Sequence, residues 1–261
     1  MKFVYFTKTL RDRSLAQLVA FVRDAGLDGV DLAVRPGYPV TPDNAAAELP
    51  KAAKAFGDAG QVIGLVTAPT SLTDPTSKQA VALFEACGAA GIAHIKIGYF
   101  GYKAPFDKSL KDARSRLAGF AKLAERTKVK ACYHTHSGAN LGNNAAALRL
   151  LVEGLDPHHV GAFVDTGHTA VNGGPASLEL DTVRPWLSLI AIKDAAWTRG
   201  RAWKVVPVGD GIVQWADVAK GIKTCGFNGT ISLHGEYDAK DADERLSLAK
   251  KELAALKKAF A

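Results

Sequence analysis

The 261-residue sequence predicts a (β/α)8 barrel, and three observations carry that prediction. Short β-branched or aromatic runs alternate about eight times with longer Ala/Leu-rich segments of helical period. Glycines (Gly26, Gly60, Gly91, Gly154 and Gly226) close helical segments just before strands, as helix C-caps feeding short turns do. The length suits one such barrel, and strict alternation forces parallel strands with right-handed crossovers. A doubly wound open sheet is the competing architecture, but the first turn, Thr7-Lys8-Thr9-Leu10, has no Gly-rich phosphate loop. No linker or second domain is visible, so residues 1–261 read as one barrel domain.

Taken in order, the first strand spans Phe3 to Thr7 and leads to a helix over Ser14 to Ala25. Gly29 to Val34 is the second strand, followed by a helix over Asp43 to Ala59. Gln61 to Val66 precedes a helix over Pro75 to Ala90, and Ala93 to Ile97 precedes one over Lys108 to Thr127. Val129 to His134 is the fifth strand, with a helix over Asn143 to Glu153. Val160 to Asp165 is the sixth, with a shorter helix near Ser177 to Val183. Leu189 to Lys193 is the seventh; a long loop separates it from a helix around Trp215 to Cys225. Thr230 to His234 is the last strand, and Asp241 to Phe260 the closing helix.

Hydrophobic residues make up 48% and charged residues 23%, a balance expected of a soluble globular enzyme. No run approaches the roughly 18 apolar residues of a membrane span. The N-terminal segment reads as a strand and lacks the pattern of a signal peptide. Cys87, Cys132 and Cys225 are scattered and odd in number, which predicts reduced structural thiols and a cytoplasmic location. The net charge of +7 suits an anionic substrate, nucleic acid or neither, since the lysines are spread along the chain.

In such barrels the chemistry lies where strands end and βα loops begin. The fifth strand ends Cys132-Tyr133-His134-Thr135-His136, the sixth Val164-Asp165-Thr166-Gly167-His168, the seventh Ile192-Lys193-Asp194 and the eighth Leu233-His234-Gly235-Glu236. Alternation puts His134 with His136 on one face, and His234 with Glu236. Imidazoles and a carboxylate from neighbouring strands can close on one divalent ion, which makes His134, Asp165 and His234 the candidate metal ligands. Each also has a plainer reading: a strand-end histidine is often only hydrogen-bonded, Asp165 can cap the turn after it, and Lys193-Asp194 can be a local ion pair. The loop after the seventh strand carries Trp197, Arg199, Arg201, Trp203 and Lys204. Aromatic faces stack on sugars and arginines bind phosphates or carboxylates, but the same loop could simply pack on the rim or on another subunit. Arg35, Lys96 and Lys8, near other strand ends, are further candidates for an anionic group.

At these residues the chain resembles the sugar phosphate isomerase/epimerase superfamily, the xylose isomerase-like TIM barrels, over essentially its whole length. The most specific pieces are Val164-Asp165-Thr166-Gly167-His168, Ile192-Lys193-Asp194-Ala195, Pro207-Val208-Gly209-Asp210-Gly211-Ile212-Val213 and Ile231-Ser232-Leu233-His234-Gly235-Glu236-Tyr237. The resemblance implies a divalent metal held by Glu, Asp, His and Glu from the last four strands, with the glutamates moving protons between sugar carbons. Only Asp165 matches outright. His134 and His234 stand at the two glutamate positions, Ala191 at the histidine position, and Glu236 keeps a second carboxylate of the eighth strand. Imidazole-rich ligation suits zinc, manganese, cobalt or iron better than magnesium.

The implied chemistry is proton abstraction next to the carbonyl of a sugar or keto-sugar, phosphorylated or not, with Glu236, Lys193 and His168 as catalytic candidates. His136, Arg35, Trp197, Arg199 and Trp203 are the candidates for substrate contact. Losing the symmetric glutamate pair leaves β-elimination, a dehydratase or lyase on a keto-sugar or inosose, open beside isomerisation and epimerisation. A non-catalytic sugar-binding barrel is a second class of reading. An abasic-site endonuclease is a third, but it would need a richer set of ligands than this chain supplies. The expected partner is a small carbohydrate, with no membrane or nucleic acid, and exposed loop tryptophans would suit a homo-oligomer.

Overall fold

Eight parallel strands close on themselves in the computed structural model, which describes residues 1–260; the side chain of Arg201 and residue 261 lie outside that description. The barrel strands are β1 (Lys2–Phe6), β2 (Gly29–Ala33), β3 (Val62–Thr67), β4 (His94–Lys96), β5 (Lys130–His134), β6 (Val160–Asp165), β7 (Leu187–Ile192) and, after two strands outside the barrel, β10 (Thr230–Leu233). Each pairs with its neighbours in sequence, and β1 closes the ring on β10 with Phe3 opposite Ile231. Closure leaves no barrel strand with an unpaired edge. The chain belongs in fold class where its alternation predicted.

The helices form the outer layer: α1 (Leu15–Ala25), α2 (Ala45–Asp58), α3 (Lys78–Ala89), α4 (Phe106–Thr127), α5 (Ala145–Val152), α6 (Thr166–Val171), α7 (Ala176–Thr182), α8 (Trp215–Cys225) and α9 (Ala242–Ala259). Local chemistry sets their ends. Ser14 and Gln17 form a reciprocal capping box on α1, and Asn144 and Asp241 cap α5 and α9. Gly26 ends α1 with φ 71°, a left-handed turn that a side chain would resist. Between helices and strands lie fully buried side chains such as Phe56, Phe84, Phe120, Leu18 and Leu49. Each stabilises the fold by about 1.5–3 kcal/mol through burial alone.

Two features depart from the expected elements. The stretch after Asp165 is helical at once, as α6, so the sixth βα unit carries two short helices rather than one. The long loop after β7 contains an antiparallel hairpin, β8 (Asp194–Trp197) and β9 (Trp203–Val206), in which Trp197 faces Trp203 across the ladder. Asp194, for which the sequence left a local ion pair with Lys193 open, instead accepts N–H donors from Ala195 (2.9 Å), Gly209 (2.9 Å), Gly211 (3.2 Å), Val213 (3.1 Å) and the Trp215 indole (3.2 Å). Consecutive residues of extended chain point to opposite sides, so Lys193 and Asp194 turn to separate partners rather than to each other. That one carboxylate ties both ends of the hairpin segment to the barrel.

Candidate functional site

Inside the barrel, Val4, Leu65, Cys132, Phe163, Leu189 and Ala191 pack as one apolar cluster. Two residues further along four of these strands, on the same face, the side chains turn polar: Thr67 follows Leu65, His134 follows Cys132, Asp165 follows Phe163 and Lys193 follows Ala191. His234 follows the buried Ser232 in the same way. Ala191 itself is part of the apolar floor.

Three of these groups converge. His134 Nε2 lies 3.3 Å from Asp165 Oδ2, and His234 Nδ1 lies 3.7 Å from the same oxygen. One ligand atom from each residue falls within 4.8 Å of the other two. All three residues are buried, yet His134 Nε2, Asp165 Oδ2 and both His234 ring nitrogens make no hydrogen bond. Buried polar atoms ordinarily make hydrogen bonds, so convergent N, O and N atoms that make none fit a divalent cation held by two imidazoles and a carboxylate. The other oxygen of Asp165 accepts the His168 N–H at 2.9 Å and caps α6, so the turn-capping role considered for it from sequence leaves Oδ2 facing the two imidazoles.

Lys193 stands beside the triad as a fixed cation. Its Nζ is 3.3 Å from Asp165 Oδ2, 3.0 Å from Glu236 Oε1 and 3.2 Å from His168 Nε2. Burial works against its charge, but Asp165 and Glu236 outweigh burial and raise its pKa, so it stays an ammonium. An ammonium only donates, so Lys193 presents its N–H to His168 Nε2, while His168 Nδ1 accepts the Ser137 backbone N–H at 3.3 Å and lies 2.9 Å from Ser137 Oγ. Gly167 allows this approach: a Cβ there would come within 2.9 Å of Lys193 Cγ.

The titrating groups divide sharply. Burial pushes His134 down to about 3 and His168 to about 2, and also lowers His136, so these imidazoles are neutral. His234 goes the other way: burial opposes its charge, but Asp31 and Glu236 outweigh it and raise the pKa. Burial would raise the Asp165 carboxyl, yet Lys193, His168 and His134 hold it well below the usual range. Glu236 is likewise held low against burial by His234, Lys193 and its ion pair with Lys8.

A cavity of about 80 Å³ opens above these groups. Its lining includes His134, His136, Lys193, His234 and Glu236, together with Arg35 and Lys96. The His136 ring packs 4.4 Å from Tyr99 and 4.1 Å from His168, centroid to centroid. Of the loop residues, Trp203 meets His168 edge-on at 5.2 Å but does not line the cavity. Trp197 is half exposed, and Arg199 lies in the turn beyond it, away from the cavity.

Two residues of this region escaped the sequence reading. Asp31, fully buried on β2, accepts from Thr67 Oγ1 at 2.6 Å and Ser232 Oγ at 2.9 Å, and lies 3.4 Å from His234 Nε2. Its signal was a lone acid inside the apolar run Gly29-Val30-Asp31-Leu32-Ala33. Tyr99 lines the cavity, with its hydroxyl 3.4 Å from His134 Nδ1. It lies three residues beyond the end of a three-residue strand, where no alternation reveals its direction.

The family model described as Xylose isomerase-like TIM barrel matches residues 19–259. The chain belongs to that family. No curated protein matches the sequence. Among solved structures, the IOLI protein with a binding zinc atom superposes with a TM-score of 0.80 at 17% identity, covering 100% of each chain. D-psicose 3-epimerase with D-tagatose from Clostridium cellulolyticum H10 gives 0.79 at 14% identity, covering 100% of this chain and 99% of that one. The probable 3-DHS dehydratase AsbF from Bacillus anthracis gives 0.77 at 15% identity, covering 98% and 99%. At such identities the likeness establishes a shared fold. Among the described residues, no helix is long and apolar enough to cross a membrane.

Proposed function

We infer that the protein is a metal-assisted isomerase or epimerase of keto-sugars that abstracts a proton next to a carbonyl. The observation that carries this reading is the His134–Asp165–His234 triad, whose facing atoms converge at the strand ends, buried and without a hydrogen bond. Names borne by proteins of the same fold, keto-sugar epimerases and a zinc-bound IOLI, support the substrate class and the metal. Zinc, manganese, cobalt or iron suits two imidazoles and one carboxylate better than magnesium does.

His134, Asp165 and His234 would hold the ion, and such an ion supplies Lewis acidity toward a carbonyl oxygen. The chain's own groups do the remainder. Lys193 keeps a positive charge beside the triad and stabilises negative charge developing on a substrate oxygen. Glu236 is the carboxylate that reaches the cavity, and its weak basicity suits a partner whose proton is already acidified. His136, neutral and facing the same cavity, is the second proton carrier. Removal by one group and return by the other, at the same or the adjacent carbon, gives epimerisation or isomerisation. The pair is unequal in basicity, so a substrate with a leaving group at the next carbon would instead lose it, and β-elimination is the second reading.

The test is exchange of solvent deuterium into the carbon next to the carbonyl, followed by NMR over a panel of keto-sugars with zinc, manganese, cobalt or iron supplied. Metal-dependent wash-in is expected, falling about a hundredfold or more in Glu236→Gln. Absence of wash-in with every metal and every sugar would overturn the reading.

A further inference from the structure

The cavity's ionic groups do not balance. Lys193 is matched to Asp165 and Glu236, Lys8 is matched to Glu236, and Asp31 is occupied by Thr67, Ser232 and His234. Two further basic side chains line the same cavity, Arg35 and Lys96, and among the described residues neither has a carboxylate within 4.0 Å. Lys96 is 2% exposed, and its Nζ makes no hydrogen bond and lies 3.6 Å from the Tyr99 ring centroid; burial, and the Arg35 charge after it, push its pKa well below the ordinary lysine value, so an anion bound beside it would restore its charge. Arg35 Nε is also buried and unpaired, and the guanidinium lies 5.6 Å from the Phe6 ring centroid. An aromatic face offsets only part of the cost of burying an ammonium, and like charges sharing a small cavity raise that cost.

We propose that Lys96 and Arg35 hold the carboxylate of the substrate, so that the molecule processed here is a keto-sugar acid rather than a neutral keto-sugar. This rests on the proposed reaction and names its substrate class. A carboxylate offers two planar oxygens, which match one ammonium and one guanidinium edge. A phosphate ester would offer the same two side chains three terminal oxygens and a larger charge, and the binding of a sugar phosphate separates it from a carboxylate. With its carboxylate on Lys96 and Arg35, the substrate would direct its carbonyl carbon toward Lys193 and the triad across the same cavity.

The test uses non-reacting ligands, so that it reads recognition without turnover. Isothermal titration of the full chain, supplied with zinc, compares D-gluconate, the neutral D-glucitol and D-glucitol phosphate. Gluconate is expected to bind about tenfold to a hundredfold more tightly than glucitol, the margin of a charge-assisted contact. Lys96→Met and Arg35→Gln should each erase most of that margin, read as the ratio of gluconate to glucitol affinity within the same variant. Lys96→Met replaces a buried basic group with an apolar chain of similar length, and a retained melting temperature confirms its fold. Equal binding of gluconate and glucitol by the wild type overturns the proposal without recourse to any variant. A gluconate margin that survives in both folded variants also overturns it, because the triad's metal alone would then hold the acid. Tighter binding of the phosphate than of gluconate overturns it as well. A gluconate preference without deuterium wash-in would sink only the reaction, whereas wash-in on neutral keto-sugars without that preference would sink only the substrate class.

Discussion

Replacing Asp165 by asparagine removes one charge while keeping the side chain's shape. Its Oδ1 can still accept the His168 N–H as an amide oxygen, so the cap on α6 survives. What disappears is the negative charge at Oδ2, 3.3 Å from Lys193 Nζ and 3.3 Å from His134 Nε2. At the effective dielectric constant of about 20 that suits protein sites, the Lys193 attraction alone is about 5 kcal/mol. Part of that is offset because Asp165 no longer has to be desolvated, and Glu236 remains 3.0 Å from Lys193. Removing one partner of a buried pair costs about 3–5 kcal/mol, and the surviving Glu236 contact puts this case near 3. For a chain of this size that is a fall of about 6–12 °C in melting temperature. Zinc at a hundredfold excess over its dissociation constant should stabilise the wild type by about 2.7 kcal/mol and the variant by far less. Thermal melts with and without zinc read both effects. A variant that melts within about 1 °C of the wild type and keeps its zinc response would refute the placement of a cation at this carboxylate.

Other consequences are open to direct measurement. Asp194→Asn turns an amide N–H₂ toward some of the donors that the carboxylate now satisfies, and should cost at least about 3 kcal/mol; limited proteolysis should show cleavage between residues 197 and 213 before the barrel unfolds. Glu252, buried on α9 and accepting the Val208 N–H at 3.0 Å, has its carboxyl pushed up to about 7 by burial. A folded pKa raised above the unfolded value of about 4.3 gives stability that is complete below pH 4.3 and lost as pH rises through 7. Glu252→Gln should therefore flatten the pH dependence of the melting temperature between pH 5 and 8, an effect on the order of 3 kcal/mol; an unchanged slope would count against the assignment.

Much of this molecule is written locally. Strand periodicity, glycines at helix ends and polar residues at strand termini placed the barrel and gathered His134, Asp165, Lys193, His234 and Glu236 in one region. Alternation was sufficient there because inward direction follows from counting by two from an apolar floor. Asp31 and Tyr99 were illegible for a different reason. The role of Asp31 exists only once the barrel closes and brings Ser232 and His234 beside β2, and the side chain of Tyr99 takes its direction from a loop. The hairpin escaped because its strands are four residues each and joined by five, too short for periodicity to separate from an irregular loop. Trp197 and Arg199 carried the right chemistry for sugar contact in sequence, but the hairpin carries them away from the cavity.

The Asp194 hub gives the hairpin an unusual independence. One carboxylate anchors both the departure at Ala195 and the return at Gly209 to Val213, and the Val208 N–H on Glu252 adds a second tie near the return. With both ends held in this way, the outer part of the hairpin could change in sequence and length as a cassette while the anchor and the barrel beneath remain as they are. Trp203 reaches inward, against His168. Cassette exchange would thus re-edge one side of the site and leave the His134, Asp165 and His234 donors untouched, a natural route by which one barrel could be fitted to different substrates.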